Sequence, residues 1–103
     1  MDKNFTTLYR ILKHYPKLFF FLLIITEYKY KHMIYRKTGL SGSTVNEYIK
    51  YLHELGLINI EEHGRMNLLS YTKNGLRVID LLFNLNSILE QAYSIKTQKV
   101  KTK

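Results

Sequence analysis

Hydrophobic positions change period along this chain, and each change marks an element. Phe5, Leu8, Ile11 and Leu12 recur at helical spacing and predict a short first helix ending near Tyr15, capped by Asp2 or Asn4. Pro16 suits a first helical turn, so a second helix is predicted from Pro16 to about Glu27. That helix is apolar almost all round, which makes it the central, most buried one. Tyr28–Lys31 alternates and reads as a small strand that joins a later sheet. His32–Thr38 follows as a short helix, with Met33, Ile34 and Tyr35 partly inward and Gly39 placed to end it with positive φ.

Val45, Tyr48, Ile49, Leu52 and Leu55 then form one apolar stripe of a helix ended by Gly56. Ser41 is its natural N-cap, although Thr44 with Glu47 also fits a capping box. Ser43, Asn46, Glu47, Lys50, Tyr51 and Glu54 remain on the other face. Leu57–Glu62 has the period of a half-buried strand, His63-Gly64-Arg65 is a turn, and Asn67–Tyr71 returns as the second strand of a hairpin. Thr72 caps a long final helix, about residues 72–95, that would span ~36 Å. The basic tail 96–103 is expected to be frayed or flexible.

The final helix carries two apolar stripes. Leu76, Ile79 and Phe83 are expected to pack on the domain. Val78, Leu82, Leu85, Leu89 and Ala92 follow a four-then-three spacing, the seam of a short coiled coil. A monomer has no evident surface for both, so this helix predicts a homodimer. The alternative is that the helix folds back over the core.

Composition sharpens the picture. The chain has 103 residues, 46% of them hydrophobic, which suits one domain over residues 1–95 with the tail beyond it. Its net charge is +8, a balance that favours a polyanionic partner. Cysteine is absent, so disulfides and thiolate metal sites are excluded, and a reducing cytoplasm fits. The run Leu18–Ile25 is too short to span a membrane, which takes ~20 residues, and lies too far in for a leader's apolar region. His14, His32, His53 and His63 show no metal-ligand spacing. Asp80 and Glu90 are not a paired-carboxylate site, and no nucleophile elbow or phosphate loop is present. Neither an enzyme nor a metal or cofactor is therefore expected.

The order is helix, helix, turn, helix, hairpin, helix. With TGLSGSTVNEYIKYLHELGLI, the hairpin around HGR and then YTKNGLRVI, it resembles a winged helix-turn-helix DNA-binding domain. The likeness is to small archaeal and archaeal-virus transcription regulators with a C-terminal dimerisation helix. It covers about residues 16–79 and implies a mainly α fold with a β-hairpin wing, bound to double-stranded DNA in the cytoplasm, of a host cell if the protein is viral.

By that resemblance the N-terminal half of the Ser41–Leu55 helix enters the major groove. Ser41, Ser43 and Thr44 would meet phosphates, Asn46 adenine, Glu47 cytosine, and Lys50 guanine or phosphate. Arg65, with His63, would brace the wing on the flanking backbone, and Lys29, Lys31, Arg36 and Lys37 would grip phosphates ahead of the turn. Ser and Thr at a helix start are more often plain caps, and an isolated turn Arg is more often solvated. Glu47 and Glu54 also make this helix less basic than the family often has, which moves weight to the wing and flanking lysines. A KH-like single-stranded RNA module using the Gly39–Gly42 loop ranks second, and requires Leu18–Ile25 to be a strand. A non-specific chromatin or architectural DNA binder is a further alternative within the DNA-binding reading. A pure protein-interaction module on Tyr9, Tyr15, Tyr28 and Tyr30 ranks third, and membrane binding last.

Overall fold

The computed structural model describes residues 5–101, with side chains as far as Lys96. Five helices and one antiparallel two-stranded sheet follow in the order α1 (Thr6–His14), α2 (Leu18–Ile24), α3 (Lys31–Thr38), α4 (Gly42–Glu54), β1 (Ile58–His63), β2 (Met66–Tyr71) and α5 (Lys73–Lys101). The chain is thus mainly helical, with a small hairpin and a long last helix.

The core is built around α2, as its composition predicts. Leu18, Phe21, Leu22 and Ile25 are buried there against Ile34 of α3, Val45, Tyr48, Ile49 and Leu52 of α4, Ile58 and Leu69 of the hairpin, and Ile79 of α5. The Phe21 and Tyr48 rings stack with centroids 4.5 Å apart. Two predictions for α2 need correction. Pro16 and Lys17 form a turn ahead of the helix, and Phe20 is half exposed, so α2 is not buried all round. The helix also stops early. Thr26 Oγ1 donates to the Leu23 carbonyl at 2.8 Å, and Thr26 and Glu27 N–H close i→i−3 bonds, which tighten the last turn and end it.

The first helix departs further from its sequence pattern. Its apolar stripe is real, but none of its residues is buried. Phe5, Leu8 and Leu12 face solvent, while Ile11 and Tyr15 alone reach the core. Its N-cap position is Phe5, which provides no side-chain cap; the expected Asp2 or Asn4 cap lies outside the described residues.

Ile58 pairs with Tyr71 and His63 with Met66, so the hairpin loop is only Gly64-Arg65. Gly64 takes φ 64° and no other loop residue is positive, the arrangement of a type II′ turn that matches strand twist. The Tyr28–Lys31 strand is reduced to one bridge. Tyr30 pairs with Leu68, the Lys29 carbonyl accepts from Leu69 N at 2.7 Å, and α3 begins at Lys31.

Thr72 joins hairpin to α5. Its N–H donates to the Leu57 carbonyl, and its Oγ1 donates to the Gly56 carbonyl while accepting from Gly75 N at 3.0 Å. Gly75 is buried against the Leu57 carbonyl, with no room for a Cβ, so α5 approaches the α4–β1 corner on its Gly75 side. That contact selects the packed face. Ile79 is buried, and Val78 and Leu82 pack beside it, whereas Leu76 and Phe83 are more than half exposed. The expected assignment of the two stripes is therefore corrected: only Ile79 of the predicted inward set is inward. The helix also continues through Lys101, past the expected end near Ile95; residues 102–103 lie outside the described residues.

Because Leu18–Ile24 is a helix, the strand-first order required by a KH module is not formed. No helix among the described residues is long and apolar enough to cross a membrane. Among them, no cluster of His, Asp and Glu could hold a metal ion.

Candidate nucleic-acid interface

Local chemistry dictates the α3–α4 turn. Gly39 ends α3 in the left-handed region at φ 67°, where its N–H donates to the Tyr35 carbonyl at 3.1 Å. Thr38 Oγ1 donates to the Ile34 carbonyl and accepts from Leu40 N. Leu40 packs against the core and anchors the turn. Ser41 then caps α4, with extended backbone and Oγ accepting from Thr44 N at 3.3 Å. The Thr44–Glu47 box is not the cap. Ser41 Oγ also donates to Thr44 Oγ1 at 2.8 Å and lies 3.3 Å from Ser43 Oγ, so the three expected phosphate-contact hydroxyls are linked to one another.

Val45, Tyr48, Ile49 and Leu52 turn inward, and Ser43, Asn46, Glu47, Lys50 and Glu54 stay exposed, as the stripe predicts, but Leu55, expected on the inward stripe, is exposed because it is already the C-cap beyond the end of α4. Two side chains are held in ways the pattern does not reveal. Tyr35 of α3 donates its hydroxyl to Asn46 Oδ1 at 2.8 Å. That bond engages the side-chain carbonyl of Asn46 on the exposed face of α4. Tyr51, expected on the open face, instead stacks on Tyr15, centroids 3.9 Å apart and planes 12° from parallel. Tyr15 also meets Tyr48 edge-on at 5.7 Å. Desolvation there, then the nearby Glu47 carboxylate, pushes the Tyr15 hydroxyl pKa up.

This stack brings the end of α1 to α4. Arg10, His14, Tyr15, Glu47 and Tyr51 line an open recess of about 400 Å³. Two basic side chains thus stand beside the exposed Glu47, a placement that the α1 pattern alone does not signal. Tyr35 and Arg10 are the functional candidates sequence reasoning misses. Tyr35 carries a weak signal, as a polar-tipped aromatic one turn before a helix-ending glycine.

The expected cations divide between two places. Arg36 and Lys37 are exposed in the last turn of α3, at the negative end of its dipole, while Lys31 is half-buried and Lys29 exposed at the hairpin bridge. Lys50 stands on α4. His63 and Arg65 sit at the far end of the hairpin, whose six-residue strands run roughly 20 Å from the α4 corner. His63 Nε2 meets Glu61 at 3.2 Å. Glu61 and Glu62 are exposed along β1, so the hairpin is basic only at its tip.

Of the expected dimer seam, Leu85, Leu89 and Ala92 are exposed, whereas Val78 and Leu82 are half-buried against the chain's own core. The residues exposed in their place include Leu81 at 67% and Ile88 at 63%, with Ile95 beyond them. The open stripe is accordingly Leu81, Leu85, Ile88, Ala92 and Ile95. Its spacing is again four-then-three, rotated from the predicted seam. Comparison with family models, with curated proteins and with solved structures finds no match for this chain.

Proposed function

We propose that this chain is a winged helix-turn-helix protein that binds double-stranded DNA as a homodimer and regulates transcription. One observation carries the reading: a glycine-ended α3, a turn anchored by Leu40, and a Ser41-capped α4 with an exposed polar face are followed directly by a hairpin with a cationic tip. The net charge of +8 supports it.

In this reading α4 enters the major groove N-terminus first, where its free N–H groups and positive dipole end meet phosphate. Asn46, held by Tyr35, donates to base acceptors. Guanine N7 and O6 are acceptors, as is the N7 of adenine, so purine edges suit it. Lys29, Arg36, Lys37 and Lys50 take phosphates and supply salt-dependent affinity through counterion release. Arg65 reaches the flanking backbone. Glu47 accepts from cytosine N4, with the Arg10 guanidinium beside it in the same recess. The exposed stripe of α5 pairs two copies, so that two α4 helices meet successive turns of one DNA face, ~34 Å apart.

Fluorescence anisotropy on the duplex upstream of the chain's own coding region and on a scrambled duplex of equal composition, titrated with salt, tests the proposal. A site-specific regulator binds the first far more tightly. Arg65→Ala should weaken binding about equally on both duplexes. Asn46→Ala should lower discrimination by about 1 kcal/mol. Equal, steeply salt-dependent binding to both duplexes would make the protein an architectural DNA binder instead. No binding to either would sink the reading.

A further inference from the structure

Among the described residues, two apolar faces of this chain are largely open. One is the α5 stripe of Leu81, Leu85, Ile88, Ala92 and Ile95, with Leu89 at its margin. The other is the outer face of α1, where Phe5, Leu8, Tyr9 and Leu12 are between 42% and 54% exposed. We propose that in a second copy of this chain these faces cover each other: α1 of one protomer packs on α5 of its partner, and reciprocally. The inference rests on the homodimer reading above and extends it to a second element.

α1 is a helix of nine residues with no side-chain cap at its N-cap position and no buried residue. Isolated helices shorter than ~12–15 residues are marginal in water, and a protein helix is stabilised mainly by packing its apolar face. Among the described residues, Ile11 and Tyr15 supply such packing. Phe5, Leu8, Tyr9 and Leu12 form a contiguous stripe next to that edge, so an occupant there would complete the helix.

A standard interface takes roughly 800 Å² from each partner. At on the order of 100 Å² of accessible apolar surface apiece, Leu81, Leu85, Ile88, Leu89 and Ile95 supply about 500 Å². The four side chains of α1 add about 400 Å² on the same scale. The α5 stripe alone is too small, and the two faces together suffice. A symmetric pair uses both faces twice, because a two-fold interface brings the same patch from each copy.

Charge identifies the occupant as another copy. The chain carries +8, so self-association demands a surface without like charges. Residues 81–95 contain a single charged side chain, Glu90, and the positions flanking the stripe are Asn84 and Gln91. Of the cations of α1, Arg10 lies on its other face, and Lys13 stands at the edge of the stripe with its Nζ over the Tyr9 ring, 5.9 Å from the centroid. A nucleic acid has no apolar face to offer either surface.

Sedimentation equilibrium of the full chain, without DNA, tests this. The wild type should dimerise. Leu85→Glu with Ile88→Glu should abolish the dimer, and Leu8→Gln with Leu12→Gln should raise its dissociation constant at least tenfold. Tyr9→Ser, a milder change, should shift it in the same direction. Thr7→Glu, on the polar face of α1, should leave it unchanged. Far-UV circular dichroism of each variant should retain the helical spectrum, since none of these side chains is buried. Dimerisation unaffected by both α1 apolar variants would overturn the proposal while leaving the α5 dimer standing. A wild type that stays monomeric at all concentrations would overturn both.

Discussion

At the scale of single residues, a missing Cβ decides how the longest helix sits. Gly75 lies in the first turn of α5, directly against the Leu57 carbonyl. At an ordinary exposed helical position, alanine for glycine gains up to ~1 kcal/mol through propensity and unfolded-state entropy. Here the added methyl would overlap backbone, so Gly75→Ala should cost roughly 1–3 kcal/mol in urea unfolding. A gain in stability would mean that the corner has room to spare. Tyr71 offers a second test. Its half-buried hydroxyl donates to the Leu22 carbonyl at 2.6 Å, and burial pushes its pKa up to about 12. Below pH 10 the hydroxyl is protonated folded or unfolded, and its contribution is fully present. Between about 10 and 12 the unfolded chain releases the proton while the folded chain keeps it, so stability falls as pH rises. Tyr71→Phe should be less stable at neutral pH by about 1 kcal/mol. It should also show a shallower loss than wild type across that alkaline window, read from unfolding midpoints at several pH values.

At the scale of elements, what was legible in the sequence is what local chemistry controls. The bounds of α4 follow from Ser41, Gly39 and Gly56, because a cap and a positive φ act within a few residues. Ser41→Ala should therefore cost about 1 kcal/mol and Ser41→Gly only a few tenths, measured by denaturant melts. Equal losses would place the effect elsewhere than in the cap. The hairpin follows from alternation and from a glycine at its tip, but its burial does not: of β1 only Ile58 is buried, and Ile60, expected inward on a half-buried strand, is exposed because the hairpin leaves the core after its first residues. The orientation of α1 and α5 was not legible, for a common reason. Periodicity finds a stripe, but which neighbouring stripe packs depends on a partner remote in sequence. In α5 the Leu76–Ile79–Phe83 and Val78–Leu82–Leu85 sets satisfy helical spacing about equally well. The close approach at Gly75 breaks the tie, and only a glycine in a helical first turn hinted at it. In the candidate interface, the exposed face of α4 could be read from its stripe. The Tyr35–Asn46 bond and the Tyr15–Tyr51 stack could not, because they join residues of different helices.

At the scale of the whole molecule, charge and greasy surface are sorted to different regions. Residues 29–37 hold four lysines and arginines with no acid, while residues 81–95 hold one charge. The molecule is correspondingly long, 58 × 35 × 25 Å, because α5 projects from the core that its first turns help to close. Two hydrogen bonds of Thr72, to the Leu57 and Gly56 carbonyls, tie the start of that helix to the residues that follow α4. Mechanically this packed start is a fulcrum with unequal arms. Beyond Leu82, which still packs on the core, α5 extends about 28 Å, so a tilt of about 10° sweeps the far tip through roughly 5 Å. The same rotation displaces the neighbouring α4 terminus far less. Whatever grips the tip of α5 thus holds the long end of a lever whose short end aims α4.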